Sequence, residues 1–262
     1  MPLLLPFRPD HGTSDRRGPN SADRYPVRRD HRSPPPAPAC PPSADEGFLL
    51  ARPDFEVHLA DSLFARRQAA ALVARMYATR GYDWEHGDEL PRGARQVTFL
   101  VRGDRGPQGT LTLRFDSGQG LLADELYRTE LDACRARGGI ACELVWFAFD
   151  PGSGSKELLA SLFHLVYIYA RLLSRASDMF IEVNPRHAGF YRRSLGFCQV
   201  GPERTCNRVG APAVLLRLDL AHADRQIARF AGRLDSSERT LYPYFLSSVE
   251  REDLFRRILE RA

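Results

Sequence analysis

Lysine is almost absent from this sequence of 262 residues, in which Lys156 is the only one. Arginine therefore carries nearly all of the basic charge, and the planar guanidinium group pairs well with phosphate and carboxylate groups. The arginine content indicates either acidic partners or a compositional bias of the genome, and the sequence leaves both interpretations open. Because arginine is dense only in the N-terminal segment, which lacks interleaved aromatic residues, we expect no nucleic acid as a partner.

Cysteine is present, but in no pattern that points to a metal site or a disulfide framework. The cysteines are odd in number and include neither a Cys-x-x-Cys pair nor the Cys/His spacing of zinc sites. They are Cys40, Cys134, Cys142, Cys198 and Cys206. We therefore expect neither a structural zinc ion nor a disulfide-based fold.

Long hydrophobic runs are missing as well. The most apolar stretch, LLASLFHLVYIYARLL, contains Ser161 and His164 and falls short of a membrane span. The stretch MPLLLPF is too short and too poorly flanked for a signal peptide. We expect a cytoplasmic protein without a transmembrane segment, and the arginines leave peripheral contact with a membrane open.

The chain divides into three segments by composition. Residues 1–47 hold 11 of the 19 prolines and show no apolar periodicity. Such a segment cannot bury enough surface to offset the entropy of ordering. We predict a disordered tail over 1–47, a globular domain over 48–235 and a helical extension over 236–262.

The globular segment shows helix and strand patterns in alternation. DFEVHLA alternates Phe55, Val57 and Leu59 and is typical of a half-buried strand, whereas IACELVWFAFD is almost entirely apolar, like a strand buried on both faces. The predicted order is β-α-β-β-α-β-α-β-α-β-β-α. A hairpin joined to helix-linked strands implies an α+β fold with one mixed central sheet flanked by helices.

The stretch VNPRHAGFYRRSLGF predicts a capped helix between two strands. Asn184 suits the N-cap, Pro185 the first turn and Gly196 the C-terminal end. His187 and Tyr191 are then one turn apart on the same face. His187 also lies near the helix N-terminus, where the dipole disfavours the imidazolium cation and keeps the imidazole neutral.

Glu143 is the one carboxylate that we expect inside an otherwise apolar strand. Burial would raise the pKa of its carboxyl group toward the range that a general base needs. Two interpretations stay open: Glu143 is a proton acceptor or amine-binding group, or it is a strand-end glutamate paired with an arginine.

The order of elements and several phrases resemble the FeeM-type N-acyl amino acid synthases, which have the GCN5-related N-acyltransferase (GNAT) fold and are related to the acyl-homoserine-lactone synthases. The phrases cover about residues 53–220 and are FEVHLADS, RMYATRGY, GTLTLRFDSGQGLLADELYRTELDACRARGG, ACELVWFAFDP, VNPRHAGFYRRSLGF and GAPAVLLRLDL. The resemblance implies transfer of a long acyl chain from an acyl carrier protein thioester to the α-amine of an amino acid. It implies no metal and no cofactor beyond the acyl thioester.

The resemblance also implies roles for individual residues. Glu143 matches the strand glutamate of the acyl-homoserine-lactone synthases, and Tyr191 matches the tyrosine that protonates the leaving thiolate in many relatives. His187 is a third catalytic candidate, as a proton acceptor or a group that orients a carboxylate. Val145 and Trp146 stand where those synthases carry serine and arginine, which weakens any pairing of an arginine with Glu143. The candidate substrate-binding residues are Trp146, Phe147, Ala148, Asn184, Arg186 and Phe190.

The segment DPGSGSKELL, residues 150–159, stands where coenzyme-A-dependent relatives have a phosphate-binding loop. It contains Gly152 and Gly154, but it begins with an acid and lacks the (Arg/Gln)-x-x-Gly-x-(Gly/Ala) spacing. Such a loop can hold the single phosphate of a phosphopantetheine arm at a helix N-terminus, with Lys156 nearby. An ordinary turn before a helix explains the same residues, and both interpretations stay open.

Two other functions stay open beside the carrier-dependent synthase. One is a GNAT acyltransferase that uses acyl-coenzyme A to modify another amine. The other is a catalytically degenerate module that binds acyl chains, which the missing serine and arginine beside Glu143 keep in view.

Overall fold

The structure is a computed structural model that describes residues 47–260 except 83, 85, 86 and 94. Residues 1–46 of the predicted tail lie outside the described residues. The strands are β1 (Phe48–Arg52), β2 (Phe55–Leu59), β3 (Gln96–Gly103), β4 (Gly106–Phe115), β5 (Ala141–Phe149), β6 (Asp178–Val183), β7 (Cys198–Gln199), β8 (Arg204–Cys206) and β9 (Ala211–Asp219). The helices are α1 (Leu63–Ala78), α2 (Asp124–Ala136), α3 (Lys156–Tyr167), α4 (Pro185–Leu195), α5 (Leu220–Phe230) and α6 (Ser248–Leu259), with a π-helical segment at Ile168–Leu173 and a 3-10 turn at Tyr242–Tyr244.

The described strands form one nine-stranded sheet. Its order is β1-β2-β3-β4-β5-β6-β9-β7, and β8 also pairs with β9. In this part of the chain β5 and β6 are parallel, and the other strand pairs are antiparallel. The predicted α+β fold, a mixed central sheet flanked by helices, is therefore confirmed.

Helices cover both faces of the sheet because its central strands are apolar on both sides. Every residue of β5 and of β6 is buried. One face, around Leu144 and Ile181, packs against α3, α4, α5 and α6. The other, around Val145 and Phe180, packs against α1 and α2. We call them the α3/α4 face and the α1/α2 face. No helix in the described part of the chain is long and apolar enough to cross a membrane.

The parallel strands β5 and β6 separate along their length. Their pairing ends at Leu144 and Ile181, although β5 continues to Phe149 and β6 to Val183. The β4–β5 ladder shifts register at the same level, where Trp146 has a φ of 51°. A non-glycine residue in this left-handed region, beside a register shift, marks a β-bulge. We call the space between the two strands beyond Leu144 and Ile181 the β5–β6 gap.

Helix α4 has the caps that the sequence predicts. The backbone N–H of Arg186 donates to Asn184 Oδ1 at 3.2 Å, and Pro185 lies in the first turn. Gly196 ends the helix with a φ of 82°. This left-handed conformation favours glycine, and a Cβ atom at Gly196 would lie 2.6 Å from His222 Nε2, so the histidine side chain would also have to move. The predicted start and end of this helix are confirmed.

Two strands are absent from the predicted order of elements. Strand β1 has the sequence FLLAR, which does not alternate, and it is a strand because it pairs with β2. Strand β8 has only three residues and pairs with β9. Beyond residue 235, Leu254 and Ile258 of α6 are buried in the core of the α3/α4 face. The segment boundaries at 47 and 235 stay a prediction.

Candidate active site

Glu143 lies on β5 and is fully buried, with its side chain on the α1/α2 face. Its carboxylate oxygens accept hydrogen bonds from the backbone N–H groups of Leu122, at 2.8 Å, and Ala123, at 3.0 Å, at the start of α2. Burial raises the pKa of Glu143 to about 7, and the nearby Glu182 carboxylate also raises it, whereas the Leu122 N–H and the Arg114 guanidinium lower it. In the described residues Glu143 has no ion pair with an arginine. Its carboxyl group therefore exchanges a proton near neutral pH, as a general base requires.

Glu143 is not the only carboxylate inside an apolar strand, and the prediction is wrong on this point. Glu182, in the sequence MFIEV of β6, is equally buried. Glu143 pairs with Phe180 in the parallel ladder, and residues two apart in a strand point to the same face, so both carboxylates lie on the α1/α2 face. Glu182 follows Ile181, the last residue of β6 that pairs with β5, and therefore stands at the edge of the gap. The signal that reveals Glu143, a lone acid in an apolar run, was available for Glu182 as well.

Arg208 connects the two carboxylates. Its Nη2 donates to Glu182 at 2.8 Å, and its Nη1 donates to the Leu122 carbonyl at 3.1 Å and to the Glu125 carboxylate. The backbone of Leu122 thus accepts from Arg208 and donates to Glu143. Arg208 lies in the turn between β8 and β9, and nothing in the local sequence indicates that its side chain reaches a buried strand.

Tyr191 on α4 is fully buried on the α3/α4 face. Its ring meets those of Phe163 and Phe197 edge to face, with centroids 6.3 Å and 5.9 Å apart. Its hydroxyl has no hydrogen-bond partner among the described residues. Burial raises the pKa of Tyr191 well above its ordinary value, and Tyr77 adds to this effect. A phenol that stays protonated and has an unused O–H can donate a proton to a leaving thiolate.

Tyr77 on α1 lies on the α1/α2 face of the sheet. It is fully buried, and its hydroxyl also lacks a hydrogen-bond partner in the described part of the chain. Burial raises the pKa of Tyr77 far above its ordinary value, Cys206 and Glu182 raise it further, and Arg208 acts in the opposite direction. The charges of the Glu182–Arg208 pair therefore act on the Tyr77 hydroxyl. Sequence reasoning missed this residue because its helical spacing is that of an ordinary core position.

His187 lies one turn before Tyr191 and is only partly buried. Its Nε2 accepts a hydrogen bond from Arg186 Nε at 3.2 Å. Burial lowers the pKa of His187 to about 4, and the guanidinium groups of Arg186 and Arg80 lower it further. The imidazole is therefore neutral at neutral pH, which agrees with the expectation from the helix dipole, although burial and two arginines are the causes here.

The candidate residues on β5 divide between the two faces of the sheet. Trp146 and Ala148 are buried on the α1/α2 face, and Phe147 is buried on the α3/α4 face. The Trp146 ring meets the Trp84 ring edge to face at 6.2 Å. The bulge at Trp146 interrupts the alternation, so Val145 and Trp146 share the α1/α2 face, and the alternation resumes at Phe147.

The candidate residues on α4 have different surroundings. Asn184 uses its side-chain oxygen to cap the helix. Arg186 is exposed, and Phe190 is half-buried with its ring 5.3 Å from that of Tyr191. Of these three, Phe190 is the one that packs beside the predicted acid.

The loop after β5 forms one wall of an open cleft of about 730 Å³. The loop spans residues 150–155, and the turn between β3 and β4 forms the facing wall. Ser155 caps α3, since its Oγ accepts from the backbone N–H of Leu158 at 3.1 Å. The cleft thus contains a helix N-terminus, which is suited to a phosphate group.

Two charged residues of this loop region have partners of their own. The Asp150 carboxylate accepts from Arg75 at 2.6 Å, so the acid at the start of the loop is neutralised. Lys156 does not line the cleft; its Nζ lies over the Tyr244 ring, 5.9 Å from the ring centre. The expected position of Lys156 beside a phosphate is therefore not observed.

The mixed sheet with helices on both faces is the fold of the GNAT-type acyltransferases. The chain belongs to the family of the N-acyl amino acid synthase FeeM, whose family model matches residues 68–219.

The chain is also similar to solved structures of acyltransferases. The chain is 29% identical to FeeM, an N-acyl amino acid synthase from uncultured soil microbes, over 65% of this chain and 94% of that chain, with a TM-score of 0.59. Lower similarity extends to the acyl-homoserine-lactone synthase LasI, at 16% identity over 63% of this chain and 89% of that one (TM-score 0.43). An acyl-CoA N-acyltransferase from Pseudomonas aeruginosa is 14% identical over 63% of this chain and 97% of that one (TM-score 0.45). A comparison with curated proteins finds no match.

Proposed function

We propose that this protein transfers a long acyl chain from an acyl carrier protein thioester to the α-amine of an amino acid. The observation that supports this most directly is the separation of β5 from β6, with Tyr191 buried on the α3/α4 face of the sheet and Glu143 buried on the α1/α2 face. If an amine and a thioester bind in the gap, Glu143 is the proposed proton acceptor and Tyr191 the proposed proton donor. Membership of the FeeM family supports the amino acid as acceptor.

The proposed reaction forms one C–N bond and breaks one C–S bond. The amine nitrogen attacks the thioester carbonyl, Glu143 accepts the proton that the nitrogen loses, and the Tyr191 hydroxyl protonates the departing thiolate. Beyond Leu144 the β5 backbone is not paired with β6, which leaves a source of N–H groups for the oxyanion. Holding both reactants in line supplies a large share of the acceleration.

The apolar side chains on the α3/α4 face support the proposal that the transferred acyl chain is long. The Tyr191 ring contacts Phe163, and Phe163 in turn contacts Phe147 with centroids 5.7 Å apart. Every residue of α3 from Leu158 to Tyr167 is buried. An acyl chain that leaves the gap on this face would therefore lie among aromatic and aliphatic side chains.

Three features support a carrier-bound donor. The cleft beside residues 150–155 has room for a phosphopantetheine arm, and its helix N-terminus is suited to one phosphate. Arg75 neutralises Asp150, so this acid does not repel the phosphate. Exposed arginines on α4 offer charge complementary to an acidic carrier protein; they are Arg186, Arg192 and Arg193.

The direct test is product formation. Purified full-length protein is incubated with long-chain acyl carrier protein and a panel of amino acids, and N-acyl amino acids are detected by mass spectrometry. A parallel series uses acyl-coenzyme A and simple amines. We expect product from the carrier-bound donor. Turnover only with acyl-coenzyme A would replace the donor and support the second function, and acyl binding without any turnover would support the binding module.

A further inference from the structure

The Glu143 carboxylate accepts hydrogen bonds from the backbone of a single loop. The N–H groups of Leu122 and Ala123, at 2.8 Å and 3.0 Å, belong to the segment between β4 and α2, residues 116–123. We call this segment the β4–α2 loop. Loops move more than helices and strands, and a catalytic group is held precisely only where the residues around it are fixed by contacts of their own.

Arg135, in the last turn of α2, fixes both ends of this loop. Its Nε and Nη2 donate to the carboxylate of Asp116, the first loop residue, at 2.7 Å and 3.0 Å. Its Nη1 and Nη2 donate to the carboxylate of Asp124, which directly follows the loop, at 2.7 Å each. The planar guanidinium group is suited to such paired contacts. We call Arg135 with Asp116 and Asp124 the loop clamp.

Asp124 connects the clamp to the donors of Glu143. Its Oδ2 also accepts from the backbone N–H of Leu121, the residue before Leu122, at 2.7 Å. Gly120 has a φ of 74°, and a Cβ atom there would lie 2.6 Å from Asp124 Oδ2, so the loop closes tightly on this carboxylate. Burial favours the neutral acid of Asp124, but hydrogen bonds from Arg135 and the Leu121 N–H outweigh burial and lower its pKa.

We propose that Arg135 is a positioning residue: through its two carboxylate partners it holds the β4–α2 loop where two backbone N–H groups meet Glu143. This inference rests on the proposed function, in which Glu143 takes up the proton of the amine. N–H groups directed at a carboxylate stabilise its charged form and lower its pKa. If the loop moved away, burial would keep Glu143 protonated at neutral pH, and it could not act as a base.

Other charged groups also act on Glu143 or on the loop. Glu182 on β6 raises the pKa of Glu143, and Arg114 on β4 lowers it. Arg208, from the turn between β8 and β9, donates to the Leu122 carbonyl at 3.1 Å and pairs with Glu125 of α2. These side chains are unchanged when the loop clamp is altered, so a shift in the pKa of Glu143 then reports on the loop.

The test is the pH profile of kcat/KM for Asp124→Asn. The amide puts an NH2 group against the donors of Arg135 or Leu121, so the clamp opens. We expect the inflection near pH 7 to move up by about one unit or more, because Glu143 loses N–H donors. The rate at about pH 7 should fall about fivefold and recover at higher pH. Losing a negative charge alone would shift the inflection down, so an unchanged or lower inflection overturns the inference.

Asp132→Asn is the matched control. Asp132 is exposed and accepts from the same Arg135 at 2.7 Å, one turn earlier on α2. The variant removes the same charge from the same guanidinium group but leaves both contacts that hold the loop. The inflection and the rate should stay at the wild-type values. An upward shift as large as that of Asp124→Asn would assign the effect to the lost charge and contradict a role of the loop.

Arg135→Lys keeps the inference testable if Asp124→Asn does not fold. It retains the positive charge, but an ammonium group cannot reproduce the paired contacts with two carboxylates. We expect the inflection to rise by about half a unit, because part of the clamp is kept. An inflection that stays at the wild-type pH in the folded variant would make Arg135 a structural residue only.

Failure of the proposed function itself would look different, because the wild-type protein would then form no N-acyl amino acid. An NMR titration of protein with isotope-labelled glutamate carboxyl groups follows Glu143 without turnover. The signal that titrates near pH 7 should be absent from Glu143→Gln, and its midpoint should rise by about one unit in Asp124→Asn. An equal midpoint in the wild type and Asp124→Asn overturns the positioning role, whether or not the protein forms product.

Discussion

The side chains of Tyr77 and Tyr191 interact across the sheet from opposite faces. Tyr77 belongs to α1 and Tyr191 to α4, both are fully buried, and Tyr77 raises the pKa of Tyr191. Neither hydroxyl has a hydrogen-bond partner in the described residues. The pairing of β5 with β6 ends at Leu144 and Ile181, so the sheet is open between the two strands beyond that level. Two buried hydroxyl groups without a partner in the described residues therefore influence each other from opposite faces of the sheet.

The Tyr191→Phe variant tests the proton donor. We expect kcat to fall by about 10²-fold, because the thiolate would leave without general acid catalysis. The free energy of unfolding should stay close to that of the wild type, since the hydroxyl has no partner to lose among the described residues. Steady-state kinetics and urea denaturation measure the two quantities on the same samples.

Tyr127 is the matched control for this experiment. Its hydroxyl donates to the carbonyl oxygens of Pro202, at 3.0 Å, and Ala213, at 2.7 Å. Tyr127→Phe should therefore lower the free energy of unfolding by about 1–2 kcal/mol while kcat changes little. Wild-type turnover by Tyr191→Phe would show that another group protonates the thiolate.

The pH dependence of kcat/KM tests Glu143 as the base. Because burial raises the pKa of Glu143 to about 7, the carboxyl group is protonated and inactive below that pH. The rate should rise as the pH passes through about 7 and level off above it, apart from the titration of the acceptor amine at higher pH. Among the charged groups of the described residues, Glu182 raises the pKa of Glu143 and Arg114 lowers it.

Glu143→Gln should remove the inflection near pH 7 and lower the rate by about 10²-fold or more. The inflection of the acceptor amine should remain, because it belongs to the substrate. A variant that keeps the lower inflection would assign that pKa to a group other than Glu143.

The role of Asn184 is tested by comparing two substitutions. Asn184→Ala removes the N-cap of α4 and should cost about 1 kcal/mol of stability. Asn184→Ser keeps a capping oxygen and should retain both stability and activity. Denaturant titration and product formation are measured for each variant. If Asn184→Ser were stable but inactive, Asn184 would be a substrate ligand as well as a cap.

Local rules explain which parts of the fold and site could be predicted from sequence. The ends of α4 follow from cap residues, and β5 follows from its apolar run, so Glu143 could be located with them. Arg208 could not, because its partner Glu182 is distant in sequence and the turn that carries Arg208 has no distinctive pattern. Tyr77 looks like any core residue of an amphipathic helix. The gap depends on the bulge at Trp146 and on strand pairing, which are properties of the assembled sheet.

Cysteine reactivity provides a test of the fold that does not depend on turnover. Cys198 is exposed, whereas Cys134, Cys142 and Cys206 are buried. Burial raises the pKa of Cys134 to about 11 and also raises those of Cys142 and Cys206. The thiolate is the reactive form, so a short alkylation of the native protein should modify Cys198 and spare these three. Cys40 lies outside the described residues.

Mass-spectrometric mapping after alkylation at about pH 8 measures each site separately, and denatured protein shows that all sites can react. The result for Cys206 is the most informative, because this buried thiol interacts with Glu182 and Tyr77 on the α1/α2 face of the sheet. Rapid alkylation of Cys206 in the native state would contradict the burial of that cluster.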